Sequence, residues 1–296
     1  MLDVRRLRLL RELAHLGTIA AVAESLSFSP SAVSQQLSVL EKEAGVPLLE
    51  RTGRRVALTP AGLGLVRHAE AVLARLEQAG AELAHAREGL AGPLRIGTYP
   101  SAARAVIPAV LAELSGWHPG LEPMVAEVDP ADVAAALRAG ELDVALVHEY
   151  DLVPTDPEPG LAVTRPVFTE PMYLAARAAG TVAEQRVAPW IMAPRGTLCH
   201  SMAVRACESA GFAPRIRHQI DDFATVLALV AAGQGVALVP QLGTERTPPG
   251  VVLTRLPMYR RTRAAFRAGA GSHPAISAFV SALHTAVPPA LGGAVL

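Results

Sequence analysis

Between Thr18 and Leu40 two apolar helical faces flank a three-residue break, and this stretch constrains the fold more than any other. Ile19, Ala23 and Leu26 recur at spacings of 4 and 3, one face of a 3.6-residue period, behind Thr18 as a candidate N-cap. Ser27-Phe28-Ser29 interrupts the period, and Phe28, the only large apolar side chain in the turn, is expected to plug the angle between the helices. Ser29 is placed to cap the second helix, Pro30 stands where a missing N–H costs nothing, and Val33, Leu37 and Leu40 form a buried stripe. Ser31, Ser34, Gln35 and Ser38 then point outward. Hydroxyls and an amide on an exposed helix reach base edges in a DNA major groove, where Gln pairs with adenine through both ends of its amide. An ordinary helical hairpin accounts for these residues too.

The residues after Leu40 separate a hairpin from a DNA reader. Leu48 to Arg51 and Arg55 to Leu58 read as short strands joined by Thr52-Gly53-Arg54. Arg51, Arg54 and Arg55 therefore gather at the tip of a wing that lays guanidinium groups along phosphates, completing a DNA-binding set with Ser29, Pro30, Ser31, Ser34, Gln35 and Ser38. At this point the chain resembles the winged helix-turn-helix of the LysR-type transcriptional regulators. The matching pieces are Ala20 through Leu26, Ser34-Gln35-Gln36-Leu37, Leu40 through Arg51 and Leu58-Thr59-Pro60-Ala61-Gly62. Pro30, often Gln in that family, and Gln35, often Arg, depart from the commonest pattern at base-reading positions. The resemblance thus implies double-stranded DNA as partner without implying the operator sequence.

Composition bounds the rest. A chain of 296 residues, 51% apolar and 18% charged, has room for two or three globular domains and is not disordered. Arg5, Arg6, Arg8 and Arg11 interrupt the only early apolar run, so no signal peptide is read there. The most apolar window, Val226 to Pro240, contains Gln234 and is shorter than the ~20 residues a membrane helix needs. A cytoplasmic protein with no membrane partner is expected. Net charge is zero, and residues 1–60 carry 8 Lys plus Arg against 6 Asp plus Glu, which excludes a generic polyanion binder. DNA affinity must rest on local clusters and fall with salt.

From Pro60 onward, Leu65, Ala69, Val72, Leu76, Ala79, Leu83, Ala86 and Leu90 alternate spacings of 4 and 3, a heptad seam. A helix of ~30 residues extends ~45 Å. Either it lies on its own domain or it pairs with a second copy. Antiparallel pairing, as in the resembled family, holds two DNA heads apart and calls for a roughly palindromic site. A homodimer or homotetramer is expected.

Beyond Ala91-Gly92-Pro93 short apolar runs alternate with helical segments, which predicts βαβ units on a parallel sheet. Helices are expected from about Ser101 to Leu114, Ala131 to Ala139, Cys199 to Ala210, Asp222 to Ala232 and Pro274 to Ala286, and strands at Val163 to Phe168, Arg215 to Gln219, Val251 to Leu256 and Arg263 to Arg267, among others. Pro93 through Gly97, His118-Pro119-Gly120, Gly140 through Val147 and Val230 through Pro240 are similar to the effector domain of the same family. That similarity implies an α/β fold of type 2 periplasmic-binding-protein architecture, with two lobes joined by crossing strands near Val163 to Phe168 and Arg263 to Arg267. The expected organisation is a winged helix-turn-helix over 1–59, a linker and dimerisation helix over 60–90 and an effector-binding domain over 91–296. Within the last, lobe I takes about 91–163 and 268–296, and lobe II about 164–267.

Ligands in open α/β sheets sit at the carboxyl ends of strands, beside helix N-termini. That rule nominates Thr98, Tyr99, Pro100, Ser101 and Ala102, then Asp129 followed by Pro130, then His148 and Glu149. From the other lobe it nominates Gly196, Thr197, Leu198, Cys199 and His200, with Asp222 and Phe223. The resemblance adds that Ser101 falls where the family commonly holds its effector with a hydroxyl, that Thr197 follows a similarly used glycine, and that Pro130 replaces a frequent hydroxyl residue. Helix N-termini favour a carboxylate, whereas Asp129, Glu149 and Asp222 repel one or recognise an amine; the effector's identity stays open.

No carrier of catalysis is evident. Gly233-Gln234-Gly235 precedes a strand, the wrong end for a phosphate cradle, and the nine histidines show no metal-ligand spacing. No catalytic residue, metal or cofactor is expected, only a small-molecule effector. Cys199 and Cys207 lie about 12 Å apart along an intact helix, outside disulfide reach. The peroxide-sensing branch of the resembled family uses a cysteine pair in the equivalent lobe, and a thiol at a helix start is open to a depressed pKa. A switch through Cys199 and Cys207, requiring that helix to unwind, therefore stands as an alternative, as does an enzyme on the two-lobed fold. The main expectation is an effector-responsive, sequence-specific transcriptional regulator, with RNA polymerase as a further partner.

Overall fold

In a computed structural model, which describes residues 1–52, 55–85, 90–288 and 291, the chain opens with α1 (Val4–Leu16), α2 (Ile19–Ser25) and α3 (Pro30–Ala44). Each begins at a side-chain cap: Asp3 accepts the N–H of Arg5, Thr18 that of Ala21 and Ser29 that of Ala32. Their apolar faces converge on Leu10, Val22, Val33, Leu37, Leu40 and Leu48, all fully buried. Each such side chain contributes about 1.5–3 kcal/mol. Phe28 departs from expectation: it is 57% exposed, because Ser27 adopts a left-handed φ of 56° and the Phe28 N–H turns back to Ala23, sending the ring away from a core already filled.

Strands β1 (Leu49–Thr52) and β2 (Arg55–Leu58) pair antiparallel, with Leu49 opposite Leu58. The Glu41 carboxylate ties them to α3 by accepting the N–H groups of Leu48 and Leu49 at 2.9 and 3.0 Å. Gly53 and Arg54 lie outside the described residues. Helix α4 (Pro60–His85) starts two residues after β2, capped by the Thr59 hydroxyl. A Cβ at Gly62 would stand 2.2 Å from the Leu48 carbonyl oxygen, so only glycine lets the helix leave the wing at this angle. The expected seam divides. Ala69 packs into the head core, while Val72, Leu76 and Leu83 are 40%, 52% and 71% exposed. Ala86 lies outside the described residues.

The second half runs β3 (Ala91–Thr98), α5 (Pro100–Ala105), α6 (Ile107–Trp117), β4 (Gly120–Glu127), α7 (Pro130–Ala139), β5 (Val144–Tyr150), β6 (Leu161–Val163), β7 (Phe168–Ala176), β8 (Pro189–Met192), α8 (Leu198–Ser209), β9 (Arg215–Gln219), α9 (Phe223–Ala231), β10 (Ala237–Pro240), β11 (Val252–Arg267) and α10 (Pro274–Ala286). β3 pairs parallel with β4 and β5; β11 runs antiparallel to β5, β6 and β7, and β7 to β10. β8 and β9 form a separate parallel pair. Two cores result. Ile96, Phe168, Ala264 and Phe279 belong to one, Met172, Leu174, Trp190 and Met258 to the other. β7 and β11 contribute to both, so they are the strands that cross between the lobes.

Three elements differ from expectation. The helix expected over Ser101 to Leu114 is two, since Pro108 has no N–H to continue the ladder from α5 into α6. Val163 to Phe168 is not one strand: Pro166 interrupts it, and the N–H groups of Thr164 and Val167 bond to Ala264 and Thr262 between β6 and β7. The two strands expected near residues 251–267 are one, bulged between Arg255 and Tyr259, where Pro257 cannot donate.

Candidate functional site

Two surfaces carry the candidate residues. On α3 the residues opposite the buried Val33, Leu37 and Leu40 are Ser31, Gln35 and Ser38, all exposed, and the half-buried Ser34. Ser29 and Pro30 open the helix and are exposed; the Ser29 hydroxyl caps it at 3.2 Å and meets the Ser31 hydroxyl at 3.0 Å. Gln36, the next residue after Gln35 and half-buried, is held by Arg6 Nε at 2.9 Å. Arg51 and Arg55 lie opposite Val56 and Thr52 in the wing ladder.

The second surface lies where β7 and β11 cross. Alternate residues of β11 face inward, so Arg260 and Thr262 are buried there beside Glu170 of β7. Arg260 grips one Glu170 oxygen through Nε and Nη2 at 2.8 and 2.7 Å, and Nη2 also donates to the Ser101 hydroxyl at 2.9 Å. The other Glu170 oxygen accepts the Leu242 N–H at 2.6 Å. The guanidinium lies 4.8 Å from the Tyr99 ring centre, and the Tyr99 and Thr262 hydroxyls meet at 2.6 Å. His148 and Tyr150, two apart on β5 and hence on one face, extend this floor edge-on: Tyr99 to His148 is 4.7 Å between ring centres and His148 to Tyr150 5.3 Å.

Above the floor opens a cavity of about 270 Å3. Tyr99, Pro100, Ser101, Asp129, His148 and Tyr150 line one side; Gly196, Thr197, Leu198, Cys199, Asp222 and Phe223 line the other. Three of the helices that start at its rim spend a donor on their own caps: Asp129 takes the Ala131 N–H at 2.9 Å, Thr197 that of His200 at 3.1 Å, and Asp222 that of Thr225 at 2.8 Å; α5 starts there without a side-chain cap. Burial, then Arg260, lowers the His148 pKa to about 3, so its ring is neutral. Burial lifts the Tyr99 hydroxyl to about 12. Asp221 is raised by burial and then by Asp129 and Asp222, whereas Asp222 is lowered, chiefly by the Thr225 N–H.

The sequence profile of the LysR substrate binding domain matches residues 87–288, and that of the bacterial regulatory helix-turn-helix protein, lysR family, matches residues 4–63. The chain belongs to the LysR family of transcriptional regulators. It is 27% identical over 256 residues to the transcriptional dual regulator GltC of Bacillus subtilis, covering 84% of each chain. To the DNA-binding transcriptional dual regulator OxyR of Escherichia coli it is 31% identical over 264 residues, covering 85% of this chain and 84% of that one. Among solved structures a cysteine mutant of Corynebacterium glutamicum OxyR is similar at 26% identity, with a TM-score of 0.59 over 98% of this chain and 93% of that one. The fold is therefore that of a LysR-type regulator: winged helix-turn-helix, linker helix and two-lobed α/β effector domain.

Four nominated residues do not line the cavity of this LysR-type chain. Thr98 is fully buried with its hydroxyl turned to the Tyr99 carbonyl, and Ala102 lies in the lobe I core. Glu149 alternates to the far face of β5, where it pairs with Arg263 at 2.9 Å. His200 points its Nδ1 at the Ala193 carbonyl at 2.9 Å. Conversely, Arg104, Ala131, Tyr150, Thr155, Glu158, Asp221 and Arg260 line it although the strand-end rule does not nominate them. Tyr150 has a signal in the sequence, as the residue two beyond His148 on a strand; Arg260 has no local signal, since its partner Glu170 is 90 residues away. Both cysteines are on α8 as free thiols. The depressed pKa expected at a helix start does not occur: burial raises Cys199 to about 11 and Cys207 to about 12.

Proposed function

We propose that this LysR-type regulator binds a small-molecule effector in the cleft between its lobes and reads double-stranded DNA through Ser31, Ser34, Gln35 and Ser38, with Arg51, Arg54 and Arg55 on phosphates. It acts in the cytoplasm as a homodimer or homotetramer, with RNA polymerase as a further partner, and without catalysing a reaction. The domain partition 1–59, 60–90 and 91–296 belongs to this proposal. Among the described residues no helix is long and apolar enough to cross a membrane. One observation carries the reading: the cavity's floor holds Arg260 of β11, gripped by Glu170 of β7, and both strands run into both lobe cores.

Because the floor belongs to both lobes, a ligand that draws the walls together changes how the lobes sit, and α4 is attached to that body. Arg267 holds Glu77 at 2.8 Å, His85 meets the Ser272 carbonyl at 2.6 Å, and a Cβ at Gly269 would stand 2.0 Å from the Ala74 carbonyl oxygen. Lobe closure then shifts the linker and with it the spacing of the DNA heads. The effector acts only through its differential affinity for the two arrangements. Footprinting of the DNA flanking its own gene, with and without a metabolite extract, tests this. The expected result is a protected, roughly palindromic site whose edges move with the extract; protection that is never obtained, or never moves, overturns it.

A further inference from the structure

The cavity's charges point away from an anionic ligand. Its floor cation, Arg260, already has Glu170 as counter-ion and Ser101 as acceptor, so the buried pair is neutral as a unit. At the mouth stand Asp129, Glu158, Asp221 and Asp222; Arg104 lies 3.6 Å from Asp222 and Arg138 lies 3.5 Å from Glu158, which leaves Asp129 and Asp221 without an ion-pair partner among the described residues. The caps of α7, α8 and α9 each take a first-turn N–H that would otherwise attract an anion, and α5, which has no side-chain cap, is a helix of only six residues. Deeper in, the Tyr150 hydroxyl, on a side chain 4% exposed, and His148 Nδ1 are buried without a hydrogen-bond partner among the described residues. The Arg260 guanidinium and the Cys199 thiol reach the Tyr150 hydroxyl only as weak, off-geometry contacts. Buried polar atoms are nearly always satisfied, and these two line the cavity.

We propose that the cleft takes a small organic cation, an amine whose ammonium group sits beside Asp129 and Asp221 and whose hydroxyl or carbonyl end bonds Tyr150 and His148. This rests on the reading of the cleft as an effector site and specifies its ligand class. About 270 Å3 is slightly below the usual range of drug-sized pockets, which suits a compact metabolite. The neutral His148 ring offers a lone pair or an N–H according to tautomer, so either a hydroxyl or a carbonyl satisfies it. Asp221, raised first by burial and then by Asp129 and Asp222, is the carboxylate there with most to gain from a cation.

Thermal-shift and calorimetric titration of the full chain with matched probes tests the class: tyramine against 4-hydroxyphenylacetate, ethanolamine against glycolate, 4-aminobutan-1-ol against 4-hydroxybutyrate. At least one amine is expected to bind where its carboxylate partner does not. Asp129→Asn with Asp221→Asn, in which Asn still caps α7, should weaken that amine at least tenfold, and Tyr150→Phe about tenfold. Asp221→Asn alone should raise the Tm of the ligand-free protein by relieving the crowding. Carboxylates binding through Tyr150 while amines do not overturns the ligand class and leaves the effector cleft standing. Probes of either kind that bind with affinities untouched by Tyr150→Phe overturn the cleft itself. No binding by any amine together with an unchanged Tm in Asp221→Asn overturns the proposal as well.

Discussion

Ser34 and Gln35 sit between Val33 and Leu37 in sequence yet on the opposite side of α3, and that separation lets one side be changed without the other. Replacing both by alanine removes no buried contact of the head core, so Tm and helix content should hold. A good bidentate base contact is worth about 1–3 kcal/mol, so affinity for the operator should fall about 10- to 100-fold while non-specific binding is kept. Fluorescence anisotropy on operator and scrambled duplexes reads this directly; equal operator affinity would place base reading elsewhere. His148 allows a second experiment. Burial and Arg260 hold it near a pKa of about 3, so as pH falls below the usual ~6.5 the unfolded chain gains a proton that the native state refuses. Its contribution to stability is complete above ~6.5 and is lost toward about 3, by at most about 1.4 kcal/mol per pH unit. His273, lowered by burial, acts in the same sense, so the comparison is between wild type and His148→Phe. Urea unfolding from neutral to mildly acidic pH should show a shallower decline in the variant.

Helix α1 meets the effector domain through charge. Glu12 is fully buried, with Arg11 Nε at 2.9 Å on one oxygen and Arg138 of α7 at 3.6 Å from the other. Arg8 donates to the Arg138 and Ala139 carbonyls at 3.0 and 2.8 Å, the end of α7 where a cation is favoured. Removing the carboxylate leaves two nearly buried guanidinium groups without their shared counter-ion, a change that costs about 3–5 kcal/mol when one partner of a buried pair is lost. Glu12→Ala should therefore destabilise strongly and Glu12→Gln less so in urea titration; a loss below about 1 kcal/mol in Glu12→Ala would mean that the cluster is solvated in solution. Arg11 and Glu12 are neighbours, but their burial against Arg138 of α7 is not legible in the sequence, since it joins residues far apart in a chain read one segment at a time. Elements defined by local signals are legible. α10 starts at Pro274 and β9 runs over Arg215–Gln219, because a first-turn proline and strand alternation are written in neighbouring residues. Half-local features are legible in part: Pro108 divides a helix whose apolar period continues across it, and Pro257 bulges a strand without ending it. The cavity is legible as a set of strand ends, but the strand period decides between Glu149 and Tyr150, and only the fold brings Arg260 to Ser101.

At the scale of the molecule, α4 is a 26-residue helix with one side committed and the other not. Ala69 and Ala81 are buried against the chain's own domains, while Val72, Leu76 and Leu83 recur at helical spacing and stand open to solvent. A stripe of large apolar side chains on a helix about 39 Å long is costly to expose and suits the same stripe of a second copy. The zero net charge means that two copies approach without overall repulsion. Leu76→Lys with Leu83→Lys places ammonium groups on that stripe without touching either core, so each subunit should stay folded and sediment as a monomer. Its affinity for a full palindrome should drop to that for a half-site, because the second head is no longer held at an effective concentration set by the first. Retained dimers in sedimentation would relocate the interface to the effector domain. Monomers that still grip the palindrome as tightly as wild type would instead detach DNA affinity from pairing, and the route from cleft to operator through α4 would have to be abandoned.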